Sequence, residues 1–161
     1  MKKALGVDIG NVIIDNRTIA NSVIDDEKQY LTIPPVIGAF EGLTGLTKEF
    51  SRNVFLVSKC TPWAEEKILK WLKNQDFYNK TGIKPENVCF VRERHEKEEI
   101  CSARGVTHFI DDRLEVLSHM VGKVPNLYLF QPDQVEIDEY EEFLPKVVRV
   151  ESWKELLTKL F

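Results

Sequence analysis

The sequence predicts an α/β protein with a three-layer Rossmann-like fold around a mostly parallel central sheet. Three observations carry this. Short apolar runs recur along the chain, they do not alternate with polar residues, and helix-like segments lie between them. A run that is apolar at every position suits a strand covered on both faces, as in a parallel sheet whose connections are helices.

The runs fall at residues 4–7, 54–57, 88–91, 107–110 and 126–130, each rich in β-branched or aromatic side chains. The first helical segment, 37–50, begins after the Pro34-Pro35 breaker. The second, 62–72, has Thr61 as its cap and Pro62 at its first position, where a missing N–H costs nothing. The third and fourth, 96–103 and 114–120, stop near Gly105 and Gly122, and the last, 153–160, follows Ser152. Residues 133–142 form an acidic stretch that reads as a solvated loop or exposed helix face. Trp63 and Trp71 lie two turns apart on one helix and are expected in the core. His108, within a strand, and His119, on a helix, read as structural.

A chain of 161 residues, 43% hydrophobic and 30% charged, has enough apolar content to bury a core and no sign of general disorder. Its net charge of −4 argues against a generic nucleic-acid binder. Cys60, Cys89 and Cys101 are odd in number and without paired spacing, so reduced thiols are expected. No leader-like segment or membrane-length apolar run is visible, and the expected compartment is the cytoplasm.

In doubly wound α/β folds, ligands sit beyond the carboxyl ends of the strands. Reading those ends gives Asp8 after the first strand, Ser58-Lys59 after the second, Arg92 and Arg94 after the third, and Asp111-Asp112 after the fourth. Carboxylates facing one another repel unless a cation or a proton intervenes. An oxygen-rich site of this kind suits Mg²⁺, held by one or two carboxylates and a substrate phosphate. With a hydroxyl and a lysine beside it, this is a phosphoryl-transfer constellation in which Asp8 can act as a carboxylate nucleophile. Asp111 continues its strand most directly, which makes it the nearer of the pair to a metal.

The order Asp8-Ile9-Gly10-Asn11-Val12, then "VFLVSK" ending in Ser58-Lys59, then Lys97, then "THFIDDR" with Asp111 and Asp112 resembles the haloacid dehalogenase-like (HAD) superfamily. The resemblance spans nearly the whole chain. It implies that Asp8 attacks phosphorus and becomes an aspartyl-phosphate, that Ser58 binds the phosphoryl group, and that Lys97 neutralises charge between them. Asp8, the backbone of Gly10, and Asp111 or Asp112 would hold Mg²⁺. Asn11, Lys59, Arg92, Arg94 and His95 would contact the substrate, and His95 can also be read as a substitute acid.

Members of that superfamily usually carry a second aspartate two residues after the nucleophile, as general acid and base. Gly10 keeps the backbone carbonyl and lacks the carboxyl. General acid–base assistance contributes ~10²–10⁴ in rate, so a slow phosphatase or one restricted to good leaving groups is expected. A phosphorylated-ligand binder is the alternative.

The resemblance also implies a single domain over residues 1–161, with 16–35 as a small loop or flap and no room for a full cap domain. An open site of that type implies a bulky or nucleotide-like phosphorylated substrate, or a second copy of the chain covering the site. "LGVDIGN" is also similar to the first phosphate motif of sugar-kinase and actin-like ATPases, but Val12 lacks the hydroxyl expected there.

Overall fold

Each apolar run becomes a strand, and all strands run parallel. The structure is a computed structural model that describes residues 2–161. Six strands form one sheet: β1 (Leu5–Val7), β2 (Val54–Lys59), β3 (Val88–Val91), β4 (His108–Asp111), β5 (Asn126–Phe130) and β6 (Val148–Val150). Their spatial order is β3-β2-β1-β4-β5-β6. The chain builds outward from β1 in one direction and then in the other, so the order reverses between β1 and β4. That reversal is where a ligand crevice is expected in an open α/β sheet.

Nine α-helices occur among the described residues. Two single turns, α1 (Asn21–Ile24) and α2 (Glu27–Tyr30), precede α3 (Ala39–Glu49), α4 (Pro62–Asn74) and α5 (Phe77–Thr81). Then follow α6 (Glu96–Arg104), α7 (Leu114–Ser118), α8 (Gln134–Glu139) and α9 (Trp153–Leu160). Successive strand residues point to opposite faces, and the core divides accordingly. Leu5, Val7, Val54, Leu56 and Ile110 pack under α3, α4 and α9, together with Leu43, Trp71 and Trp153. Phe55, Val57, Phe109, Leu127 and Leu129 pack on the other face with Cys101 of α6 and with Leu114 and Leu117 of α7. The three-layer expectation therefore holds, with every strand pairing parallel.

Local chemistry explains the boundaries. The Thr61 hydroxyl accepts from Ala64 N at 3.2 Å, with Pro62 opening α4, and the Ser152 hydroxyl accepts from Glu155 N at 3.1 Å to open α9. Gly105 closes α6 in the left-handed conformation at φ 65°. α3 and α9 pack so closely that a Cβ on Gly42 would stand 2.6 Å from the Trp153 ring.

Several elements lie outside the expectations. β6 has three residues and α5 five, both too short to leave a periodic signal. Residues 16–35 hold α1 and α2, and an antiparallel bridge from Ile14 to Pro35 closes the segment at its base. The segment buries Tyr30 and Ile33 in the core, and Trp71 Nε1 donates to Ile33 O at 2.9 Å. Trp71 is fully buried, whereas Trp63 is half exposed, its ring covered by the Lys67 ammonium 3.6 Å from the centroid. The acidic stretch is not simply solvated: α8 forms inside it and Glu136 is buried. His108 stacks on Tyr128 and meets the Phe50 ring edge-on, as a structural residue would. The three cysteines are free. No helix among the described residues is long and apolar enough to cross a membrane.

Candidate active site

The loop after β1 sets the site. Asp8 N donates to Ile110 O at 2.9 Å, which holds the end of β1 against β4. The chain then makes one tight turn in which Ile13 N and Ile14 N both return to Ile9 O, at 2.8 and 3.1 Å. Asn11 takes the left-handed conformation, φ 65°, that this turn requires, a region asparagine tolerates better than most residues. From the far end of the chain, Trp153 Nε1 donates to Val12 O at 2.8 Å and pins the turn from beneath.

Lys97, the second residue of α6, is almost wholly buried. Its ammonium donates to Asp8 Oδ1 at 2.9 Å and to Asp111 Oδ2 at 2.8 Å. Burial alone would depress the lysine. The Asp111 and Asp8 carboxylates outweigh that effect and hold it above the ordinary lysine value. Asp111 has no exposed surface, and its other oxygen accepts from Arg113 N at 3.0 Å. Asp112 accepts from Asn11 Nδ2 at 3.3 Å, and its ion-pair neighbour, the Arg17 guanidinium, stands 3.9 Å away.

One carboxylate oxygen from each of Asp8, Asp111 and Asp112 lies within 4.8 Å of the others. Three buried carboxylates and one ammonium leave two negative charges in excess. The strain shows in the acids: burial, then the Asp8 carboxylate, push Asp111 up to about 6. Burial, then Asp8 and Asp111, push Asp112 up to about 9. Asn11 Oδ1 is buried beside them with no hydrogen-bond partner among the described residues. All of these donors are hard oxygens, and a divalent cation matches both their chemistry and the excess charge.

A cleft of about 220 Å³ opens over this cluster. Of the residues expected at the site, Asp8, Gly10, Asn11, Ser58, Lys59, Arg94, Lys97 and Asp112 line it. Asp111, which the sequence favours as the nearer metal ligand, has no exposed surface and contributes an oxygen to the three-acid cluster, while Asp112 also lines the cleft. Arg92 does not reach the cleft. Its guanidinium is tied to Glu65 at 2.9 Å and to Cys60 O at 3.0 Å, which fastens the start of α4 to the end of β3. His95 stands in a neighbouring cleft with Lys59, Arg94 and His119; among the described residues it makes no contact with Gly10 that would make it the missing acid.

Three residues outside the expected set complete the surroundings. Arg113 and Val116 line the cleft, and Arg17 reaches Asp112 from the segment after β1. From the sequence Arg113 reads as a partner that orients the acid pair or as a surface cation. What fixes it is Glu136 of α8, whose carboxylate accepts from Arg113 Nε and from the first amide of α7, Leu114 N. No spacing rule links positions 113 and 136, so this support has no signal in the sequence.

The fold is similar to those of several solved HAD-type hydrolase structures. One such structure is D,D-heptose 1,7-bisphosphate phosphatase from B. bronchiseptica, solved with magnesium and phosphate. It superimposes with a TM-score of 0.72 at 10% identity over 98% of this chain and 97% of that one. A putative β-phosphoglucomutase from Thermotoga maritima gives 0.69 at 11% identity, covering 98% of each chain. A putative haloacid dehalogenase-like hydrolase from Burkholderia xenovorans LB400 gives 0.68 at 12% identity, over 98% of this chain and 95% of that one. At such identities the likeness is one of fold. No protein-family profile matches the sequence, and no curated protein matches it.

Proposed function

We propose that the protein is a HAD-type, Mg²⁺-dependent phosphatase that hydrolyses a phosphate monoester through an aspartyl-phosphate on Asp8. The observation that carries this is the Lys97 ammonium held between Asp8 and Asp111, at 2.9 and 2.8 Å, with Asp112 on the cleft wall. A lone acid at a strand end has many uses. A nucleophile-grade carboxylate bridged by a buried lysine to a further acid pair has few.

Asp8, Asp112 and the Gly10 carbonyl are the groups that would hold Mg²⁺, with Asp111 behind them. Bound there, the ion supplies positive charge to the transferring phosphoryl oxygens. Lys97 would support the same charge from the buried side, and Ser58, at the end of β2 and in the cleft lining, would hydrogen-bond the phosphoryl group. Asp8 attacks phosphorus, the ester P–O bond breaks, and the alcohol leaves with a proton from solvent. Water then attacks the aspartyl-phosphate, releasing inorganic phosphate and restoring the carboxylate. Because position 10 offers no acid, the first step favours leaving groups that need no protonation.

Gly10 also supports a second reading, a protein that binds a phosphorylated ligand without turning it over. A panel of phosphate esters with and without Mg²⁺, run beside Asp8→Asn, separates the two. Mg²⁺-dependent release of phosphate that disappears in Asp8→Asn is expected. Turnover that appears only in Gly10→Asp would make the native protein a binder. The wide mouth of the cleft supports a bulky substrate, a nucleotide-like ester included, or a second copy of the chain as the cover. A cytoplasmic setting, where Mg²⁺ and phosphate esters are plentiful, accords with this reading.

A further inference from the structure

The cleft over Asp8 continues into a second one of about 280 Å³, and Lys59 and Arg94 line both. The second cleft adds His95, from the turn before α6, and His119, at the C-terminal cap of α7. Its polar groups therefore come from three separate elements: the end of β2, the segment after β3, and α7. Lysine, arginine and imidazole all present N–H donors.

Two carboxylates share this space, Glu93 and Glu115. Glu115 is already engaged, by Arg94 at 2.8 Å and Arg113 at 3.8 Å. Lys59, His95 and His119 make no ion pair among the described residues. Lys59 and Arg94 thus balance the two glutamates here, whereas the other neighbouring cleft is acidic. It sets Arg17 and Arg113 against Asp112, Asp133, Glu136 and Glu139, so an anion entering there meets an excess of carboxylates.

From this contrast we infer that the cleft formed by Lys59, Arg94, His95 and His119 is a subsite for a second anionic group, phosphate or carboxylate, on the substrate whose phosphoryl group sits over Asp8. The inference rests on the phosphatase reading for what occupies the first cleft. It narrows the substrate class to esters that carry a second anionic group, meaning bisphosphates or phosphorylated acids. Each donor contact to a charged group is of the stronger, charge-assisted kind.

The test uses the wild-type protein with excess Mg²⁺ and three phosphonates that cannot be hydrolysed: propylphosphonate, phosphonopropanoate and propylene bisphosphonate. Calorimetry is expected to show the two with a second anion binding about tenfold or more tighter than propylphosphonate. The ordering of phosphonopropanoate and propylene bisphosphonate tells carboxylate from phosphate. In Lys59→Met and His119→Gln the ratio within each variant is expected to fall toward one, a readout that a general loss of folded protein does not move.

Equal affinity for all three, no binding of any, or a preference untouched by both substitutions would overturn the subsite. Turnover of simple esters is assayed separately. Its absence alongside a preserved preference would sink the phosphatase reading and leave the subsite standing.

Discussion

Under the proposed phosphatase reading, Gly10 is the residue expected to limit rate. Its φ lies outside the left-handed region, and a Cβ built on it would meet only Asn16 Nδ2, at 3.8 Å. The backbone can therefore accept aspartate without strain. Gly10→Asp is expected to fold as stably as the native chain and to raise turnover of esters with poor leaving groups by ~10²-fold or more, as added acid–base assistance does. Steady-state kinetics on an alkyl and an aryl phosphate checks it, with the smaller gain on the aryl ester. Lys97 is the residue that governs stability of the site. Lys97→Met leaves Asp8 and Asp111 buried without their counter-charge, which costs on the order of 3–5 kcal/mol. Urea denaturation is expected to show that loss at neutral pH, and added Mg²⁺ is expected to recover part of it.

At the scale of elements, α8 supports the acid-pair loop. Glu136 caps α7 and fixes Arg113 from an element that begins more than twenty positions later in the chain. Glu136→Ala leaves the α7 amide and the Arg113 guanidinium short of an acceptor, an expected loss of about 1–3 kcal/mol. Chemical denaturation measures it, and a larger KM with little change in kcat would report a displaced Arg113. This contact also marks where sequence reading stops. Five strands and the clustering of Asp8, Asp111 and Asp112 at their ends were legible, because buried parallel strands are apolar throughout and the acids follow them directly. Arg92 was misplaced because a cation near a strand end can turn toward Glu65 as easily as toward a ligand. Glu136 went unseen because a helix cap supplied by a distant element has no local spacing. The choice of Asp112 over Asp111 for the cleft wall depended on side-chain direction, which two adjacent acids leave undetermined.

For the whole molecule, the excess charge at the site couples stability to pH and metal. A carboxyl whose native pKa is raised binds its proton more tightly when folded. Its contribution is present at low pH and lost as pH climbs through the native value. For Asp111 that value is about 6, and for Asp112 about 9. The elevated Lys97 contributes below the ordinary lysine pKa of about 10.4, so it stays constant across this window. The Tm of the metal-free protein is therefore expected to fall as pH rises from the ordinary carboxyl value of 3.8 through about 6 to about 9. Mg²⁺ is expected to raise Tm most at the alkaline end, as binding to the native state alone requires. A thermal melt series with Mg²⁺ or with chelator tests both, and a Tm indifferent to pH and metal would contradict them. The sheet order has one more consequence, for the order of folding. Leu5 pairs with both Val54 and His108, and no neighbouring strands are joined by a hairpin, so every pairing awaits a long crossover. A chain with only its first wing assembled holds Asp8 and Ser58, with α6 and its Lys97 packed on β2 and β3, but lacks the acid pair that follows β4. On the phosphatase reading, metal affinity and turnover are thus expected to return only when β4 has docked on β1, and to mark a late step in a refolding time course.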